Sequence, residues 1–353
     1  MKKQDKILTV ILLAALFIFL IIANLFLDAY IKRVLNLCAI YTILALSMNL
    51  INGFTGLFSL GHAGFMAIGA YCVGIFTLPI SVRPANFYIE PMHPAIANVE
   101  LPFFVALLLG GVLAAFFAFL IGAPVLRLRD DYLAIATLGF SEIIRIVLTN
   151  MQSITNGPLG IKNIPTTANM WWIYGVTLVT VIFLVLLISS SYGRAFKAIR
   201  EDEIAAQAMG INLFRHKILS FMIGAFFAGI AGGLYASMLS TVDPKNFIFT
   251  LTYNFLLIIV LGGMGSVSGT IISAYIVTAG LEIMRFFDEP LSIFGVSIPL
   301  FRPGLRMVIF SICLMIIVLF FRNGLMGNKE LNWDMLRGLF SKRSKRIKGG
   351  EAR

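Results

Sequence analysis

The sequence has few charged residues and few cysteines. Of its 353 residues only 13% are charged while 59% are hydrophobic, whereas soluble domains carry about 25% charged residues. The mean hydropathy is +0.92. Its three cysteines, Cys38, Cys72 and Cys313, are an odd number and each lies in an apolar run, so no disulfide framework is predicted. This composition excludes a soluble enzyme, a disordered chain and a disulfide-rich secreted domain.

The sequence also lacks the motifs of common enzyme sites. No Gly-x-x-x-x-Gly-Lys-Ser/Thr loop is present, so the chain has no Walker motif to hold ATP phosphates. No His, Cys and carboxylate cluster has metal-ligand spacing, and no pair of nucleophile and base is recognisable. We therefore expect a protein that is not an enzyme and that has no cofactor or metal of its own.

Long apolar segments make up most of the chain. A spanning helix needs about 20 mainly apolar residues. Ten candidates occur, at 7–27, 34–52, 60–78, 103–124, 132–150, 171–190, 218–240, 250–261, 266–286 and 303–321. The first is too long for the core of a signal peptide and no cleavage site follows it, so we expect it to be retained. The eighth is too short to cross untilted, which predicts a partial span.

The net charge of +11 is unevenly distributed along the chain. Eight Lys and Arg residues follow residue 328. With both termini in the cytoplasm, ten spans place nineteen basic residues inside and six outside, as the positive-inside rule requires. The pair Lys32–Arg33, on the outer side, is the exception. The predicted fold is an all-α integral membrane protein with about ten transmembrane or partial-span helices and both termini cytoplasmic.

The basic C-terminal region includes Lys-Arg-Ser-Lys-Arg at 342–346. A basic stretch beside a membrane segment is more typical of a topology signal facing anionic lipid than of a nucleic-acid-binding arm. We therefore expect the lipid bilayer, and no nucleic acid, as a partner. The predicted organisation is a polytopic permease domain at 1–327 followed by a basic cytoplasmic tail at 328–353.

The longest predicted cytoplasmic loop, 191–217, contains the pattern of a short helix. Acidic residues at 201–203 favour a helix start, and Gly210 supplies a left-handed stop. Small side chains between them allow a partner to approach closely, and two larger apolar side chains are suited to its groove. The alternative is a solvated helix that only links two spans. The candidate docking residues are Arg200, Glu203, Ile204, Ala205, Ala206, Met209 and Gly210.

Glycine-rich turns and two membrane charges form a second candidate site. The glycines predict either close helix packing or broken helices that line a pathway. Glu142 and Arg145, three residues apart, are predicted to pair inside the bundle, as a structural ion pair or as a lining for a zwitterion. His62 is expected to be a hydrogen-bonded core residue rather than a proton relay. The candidate pathway or gating residues are Gly53, Gly56, Gly61, His62, Gly64, Tyr132, Thr137, Glu142, Arg145, Gly262, Gly263 and Gly265.

Several of these stretches resemble a known family. Ala205-Ala206-x-x-x-Gly210, with Ile218 beyond it, resembles the Glu-Ala-Ala-x-x-x-Gly signature of ABC importer permeases, although Ile204 stands at the first position and Glu203 one residue earlier. The stretches 52–65, 126–140 and 261–266 resemble the LivM-type permease of branched-chain amino acid ABC importers. The resemblance covers roughly residues 30–325.

The resemblance implies a multi-pass permease of the bacterial inner membrane that translocates branched-chain amino acids. It also implies a LivH-type permease partner, two cytoplasmic ATPase subunits that bind ATP and Mg, and an extracytoplasmic substrate-binding protein. The docking residues then form the coupling helix that contacts an ATPase. The alternatives are an ABC permease for urea or short amides and a gradient-driven secondary transporter, which needs several ionisable residues at midmembrane depth.

Overall fold

The computed structural model describes residues 3–127, 130–285, 292–293, 296–297, 308–309, 311–312, 315, 324–327 and 330. Within these ranges the chain is built from helices and four two-residue strands. The helices are α1 (Lys3–Phe26), α2 (Ala29–Asn49), α3 (His62–Thr77), α4 (Arg83–Asn86), α5 (Pro94–Ala97), α6 (Phe103–Val125), α7 (Asp130–Asn150), α8 (Gln152–Thr155), α9 (Met170–Ser189), α10 (Ser191–Glu201), α11 (Glu203–Ala208), α12 (Leu213–Leu239), α13 (Phe249–Gly262) and α14 (Val267–Ile283). The strands are β1 (Ile161–Lys162), β2 (Thr241–Val242), β3 (Ser292–Ile293) and β4 (Val296–Ser297).

Nine of the ten predicted spans coincide with helices of the structure: α1, α2, α3, α6, α7, α9, α12, α13 and α14. The predicted tenth span, 303–321, lies largely outside the described residues, as does almost all of the predicted tail at 328–353. The all-α membrane architecture is confirmed.

The described residues contain five helices that are long and apolar enough to cross a membrane. A sixth results if α3 and the segment Ile80–Asn86, which meet at a bend of 98°, count as one span. Helix α13 has 14 residues, which gives a length of about 21 Å against a hydrocarbon thickness of about 30 Å. This length agrees with the prediction of a partial span at 250–261.

Helix α12 packs against α3 and α6 in the centre of the bundle. Its contact with α3 is a backbone contact, because a Cβ added at Gly69 would lie only 1.9 Å from the carbonyl oxygen of Gly229. Glycine at such a crossing lets two helices approach closely. Phe65 and Phe221 then pack edge to face with ring centroids 5.5 Å apart.

The loops at the end of the bundle where α3 and α12 finish are ordered. Strand β1 pairs antiparallel with β2, which joins the loop before α9 to the segment after α12. The hydroxyl of Ser237 donates a hydrogen bond to the carbonyl of Pro165 at 2.8 Å, and the N–H of Leu101 donates to the carbonyl of Phe76 at 2.8 Å. These loops form a layer over the helix ends rather than a separate domain.

Arg83 organises this layer although its side chain is only 3% exposed. Its guanidinium donates hydrogen bonds to the carbonyls of Ile96, Ala97 and Val99 at 2.6, 2.7 and 2.6 Å, and to that of Leu78 at 3.0 and 3.1 Å. No carboxylate within the described residues forms an ion pair with it.

We expect Arg83→Met to destabilise the protein by about 3 kcal/mol, because several buried carbonyls lose their donor. The apparent melting temperature of the detergent-purified protein, followed by tryptophan fluorescence, measures the effect. Lys162→Met removes an exposed charge of the same layer and serves as the control. An equal, small change in both variants would contradict the role assigned to Arg83.

Candidate functional site

Helix α11 has well-formed ends, as the sequence predicts. The carboxylate of Asp202 accepts hydrogen bonds from the backbone N–H groups two and three residues further on, at 2.8 and 3.0 Å. At the other end Gly210 has φ +84°, and the N–H of Ile211 donates to the carbonyl of Ala206 at 3.1 Å. This is a Schellman cap, which requires a left-handed residue where Gly210 stands.

One side of α11 is anchored and the other is exposed. Ala206 is buried, and Glu203 forms an ion pair with Lys217 of α12. Ile204 and Met209, by contrast, are 82% and 83% exposed. Two large apolar side chains on a short helix that lies outside the candidate spans are typical of a contact surface for a partner. Ala205 and Gly210 are also exposed.

Helix α10 connects this surface to the glycine-rich turn that follows α2. Arg200 donates a hydrogen bond from Nη1 to the carbonyl of Gly53 at 2.9 Å, and a Cβ at Gly56 would lie 2.9 Å from its Cγ. The ammonium of Lys197 lies 5.7 Å from the ring centroid of Phe54. Helix α10 therefore contacts this turn directly through two basic side chains.

The glycine-rich turn at 53–56, after α2, meets the glycine-rich turn at 262–265, between α13 and α14, and Asn49 joins them. Its Nδ2 donates to the carbonyl of Ser266 at 3.0 Å and to the hydroxyl of Thr270 at 2.8 Å, while its Oδ1 accepts from the N–H of Gly265 at 3.0 Å. Asn49 is fully buried. A Cβ at Gly53 would lie 1.8 Å from Asn49 Oδ1 and 2.5 Å from the nitrogen of Gly265. These glycines serve close packing, one of the two roles expected from the sequence.

The end of α2 departs from α-helical geometry where it reaches this contact. Residues Leu50–Phe54 form one turn of π-helix. The carbonyl of Leu50 accepts from both the N–H and the hydroxyl of Thr55, at 3.2 and 2.9 Å, and the N–H of Ser59 donates to Asn52 Oδ1 at 3.3 Å. Turns of π-helix are less stable than α-helix and are frequent at functional sites.

Gly61 and Gly64 contact α7 at the start of α3. A Cβ at Gly61 would lie 3.1 Å from the carbonyl oxygen of Thr137, and one at Gly64 would lie 3.0 Å from the Cα of Ser141. The hydroxyl of Thr137 accepts a hydrogen bond from the N–H of Leu60 at 3.0 Å. Thr137 thus supports the segment that leads into α3.

His62 and Tyr132 differ in their surroundings. His62 is completely buried, and its Nε2 lies 3.2 Å from the hydroxyl oxygen of Ser47. This contact is that of a hydrogen-bonded core residue. Tyr132 is 65% exposed on α7 and lies apart from the contact between the two turns.

Glu142 and Arg145 form the ion pair expected from their spacing, with 2.7 Å between Arg145 Nε and Glu142 Oε2. Oε1 of Glu142 also accepts from the N–H of Phe249 at 3.3 Å, so the pair joins α7 to the first residue of α13. Each of the two side chains is about a quarter exposed, at 23% and 27%.

The turn between α13 and α14 also receives a contact from the C-terminal region. Gly263, with φ +105°, lies beside Gly327, and the N–H of Met326 donates to the carbonyl of Gly262 at 3.2 Å. The carboxylate of Glu330 accepts from the first two N–H groups of α14 at 2.7 and 3.0 Å. A carboxylate here complements the helix dipole. Glu330 was not among the residues predicted from the sequence.

Most candidate residues therefore lie at one end of the bundle, where α10 connects α11 to the turn after α2 and this turn contacts the one between α13 and α14. Glu142–Arg145 and Tyr132 lie outside this group. Within the described residues no group of three or more His, Cys, Asp or Glu side chains is placed to hold a metal ion. The arrangement positions an exposed helix against a tightly packed pair of turns.

We expect Gly53→Ala to lower the apparent melting temperature, because the added methyl group overlaps Asn49 and the backbone at Gly265 and costs about 1–3 kcal/mol. Gly139→Ala is the matched control, since a Cβ there meets nothing within 4 Å. Equal melting temperatures for both variants would show that the two turns are not packed as described.

Comparison with known proteins agrees with the resemblance seen in the sequence. The chain is 38% identical over 288 residues to the high-affinity branched-chain amino acid transport system permease protein LivM of Escherichia coli, covering 72% of this chain and 63% of that protein. It is 26% identical to the probable branched-chain amino acid transport permease protein LivM of Methanocaldococcus jannaschii, covering 85% and 94%. It is also 30% identical over 172 residues to the LivH permease protein of E. coli, covering 43% and 54%.

The chain thus spans about three fifths of the length of the bacterial LivM proteins, 63% and 62% for the E. coli and Salmonella typhimurium proteins. No solved structure gives a significant match. The family model for the branched-chain amino acid transport system permease component matches residues 30–319, which is most of the chain. The predicted resemblance is confirmed, and the chain belongs to the family of branched-chain amino acid transport system permease components.

Proposed function

We propose that the chain is the permease subunit of an ABC importer that translocates branched-chain amino acids. Membership of the permease family and the similarity to LivM proteins support the substrate class. The observation that carries the proposal is the geometry of α11. This capped helix exposes Ile204 and, directly after it, Met209, while its other side is paired with Lys217 of α12. The preceding helix, α10, is joined to the core by the bond from Arg200 to Gly53.

The proposed assembly contains a LivH-type permease, two cytoplasmic ATPases and an extracytoplasmic binding protein. The similarity of the chain to LivH proteins supports a homologous permease as partner. In the proposed topology the chain has ten membrane-spanning or partial helices and both termini in the cytoplasm, and α11 then lies on the ATPase side of a bacterial inner membrane. ATP and Mg are bound by the ATPases, and this chain contributes no cofactor or nucleic-acid site.

In this proposal α11 couples ATPase movement to the membrane helices. A push on α11 reaches α12 through the ion pair Glu203–Lys217 and reaches the end of α2 through the hydrogen bond from Arg200 to Gly53. Asn49 passes the movement on to the turn before α14. The π-helical turn at Leu50–Phe54 is the segment that changes conformation, because its hydrogen bonds are less regular than those of α2.

A gradient-driven secondary transporter fits the structure less well. Such proteins couple ions through ionisable residues at midmembrane depth, and the membrane carboxylate singled out here, Glu142, is held by Arg145 and by the N–H of Phe249. A urea or short-amide importer would have the same coupling geometry. Uptake assays with leucine, isoleucine, valine, urea and acetamide distinguish these substrates.

We expect Ile204→Asp to remove the ATPase subunits from the purified complex, because a carboxylate replaces an apolar side chain that lies in the partner's groove. Co-purification with the tagged chain from its native host, analysed by mass spectrometry, measures the loss. Ser189→Asp, which introduces the same carboxylate at an exposed position at the end of α9, should retain the ATPases. Full retention in both variants would remove the support for α11 as the coupling helix.

We expect Arg200→Met to leave the ATPases bound but to lower amino acid uptake at least tenfold, because α11 stays exposed while its bond to Gly53 is lost. ATP hydrolysis and uptake of labelled leucine are measured together in proteoliposomes. Arg194→Met makes the same change at an exposed position of α10 and should preserve the ratio of uptake to hydrolysis. A normal ratio in Arg200→Met would contradict the proposed path of coupling.

A further inference from the structure

An apolar groove runs along the outside of the bundle between α6, α9 and α12. Its volume is about 920 Å³, and its lining is almost entirely hydrophobic, with Trp171 and Trp172 at one end and Phe183 and Leu219 towards the other. Gly175 on α9 leaves part of this space open, since a Cβ there would meet nothing within 4 Å. The side chains around it are partly exposed, including Val179 at 64%.

The groove has the length of one lipid leaflet. Trp171 and Phe183 are twelve residues apart on α9, and at about 1.5 Å per residue they are separated by about 18 Å. Half of the hydrocarbon core of a bilayer measures about 15 Å. Tryptophan at the end of such a groove is typical of the boundary between hydrocarbon and headgroups.

A polar cavity of about 640 Å³ adjoins the groove at this end, and Trp171 lines both. Lys32 and Arg33 line the cavity together with Asn36 and Asn169. These are the two basic residues that fit the positive-inside rule poorly, since they lie on the predicted outer side.

Two polar side chains that line this cavity, Arg33 and Asn36, are not fully paired within the described residues. The ammonium of Lys32 donates to the carbonyl of Asn24 at 2.7 Å, and Arg33 forms no ion pair within the described residues. Glu282 accepts instead from the hydroxyl of Tyr30 at 3.3 Å. The Oδ1 atom of Asn36 is buried without a hydrogen-bond partner in the described part of the chain.

We infer that the groove and the cavity together bind one anionic phospholipid. An acyl chain lies in the groove along α9, and the phosphodiester lies in the cavity, where Lys32 and Arg33 neutralise its charge. A hydroxyl of the headgroup donates to Asn36, so a glycerol headgroup suits the cavity better than a choline headgroup. The charge complementarity and the shared Trp171 favour a lipid over a helix of another subunit, which would fill the groove but leave the two cations unmatched.

The site is tested by native mass spectrometry of the transporter purified in mild detergent and incubated with phosphatidylglycerol or phosphatidylcholine of identical acyl chains. The wild type should hold one phospholipid per copy of this chain and prefer phosphatidylglycerol by about tenfold. Gly175→Leu fills the groove and should lower the binding of both lipids at least tenfold. The double variant Lys32→Gln/Arg33→Gln should abolish the preference while phosphatidylcholine binding remains.

Two variants control for nonspecific effects. Gly139→Leu adds the same side chain at another open glycine, on α7, and Lys162→Gln/Lys245→Gln removes two exposed positive charges elsewhere on the loops. Both should bind lipid as the wild type does. The inference is wrong if no phospholipid is retained, if Gly175→Leu and Gly139→Leu bind equally, or if Gly175→Leu releases the second permease instead, which would make the groove a subunit interface.

Discussion

The hydrogen bonds of Asn49 are the interaction on which one end of this bundle depends. Helix α2 passes there into its π-helical turn and α13 ends there, and backbone groups freed inside a membrane protein must find partners within it. The buried amide of Asn49, the last residue of α2, ties the first turn to the second, because it donates to Ser266 and Thr270 and accepts from Gly265. Its position forces Gly53 and Gly265 against each other, so that any side chain at Gly53 would overlap its neighbours. The turns consequently behave as one packed unit.

The two ends of the bundle are built differently. At one end Arg83 and the pairing of β1 with β2 fix the loops through many short bonds to backbone carbonyls. At the other end a π-helical turn, positive-φ glycines and a surface helix are linked by a few directional contacts, of which the bond from Arg200 to Gly53 is the central one. Between them, glycine contacts hold α3, α6 and α12 together closely. In the proposed importer, movement enters at the end that carries α11, while the end organised by Arg83 stays rigid.

Sequence reasoning predicted those features that are encoded locally. Helix α11, its acidic start and the stop at Gly210 follow from neighbouring residues, as do the pair Glu142–Arg145 and the apolar helices. It did not single out Asn49, Arg83 or Glu330, because their partners are distant in sequence or are backbone carbonyls, which no side-chain pattern reveals. An asparagine at the end of an apolar helix, one turn before a glycine-rich stretch, is the signal that Asn49 offered. Gly53 and Gly61 lie in close contact with backbone and side chains of other elements, as expected for glycines that serve helix packing, and their role in a pathway stays a prediction.

Hydrogen–deuterium exchange on the assembled transporter in nanodiscs, with and without a non-hydrolysable ATP analogue, tests the central claim most directly. If the two glycine turns form one unit driven from α11, the amides of 53–57 and of 263–267 change their exchange rates together when nucleotide binds, while those of the α3–α12 contact do not. A change confined to one turn, or an unchanged pair of turns in a complex whose ATPases have closed, would contradict the account.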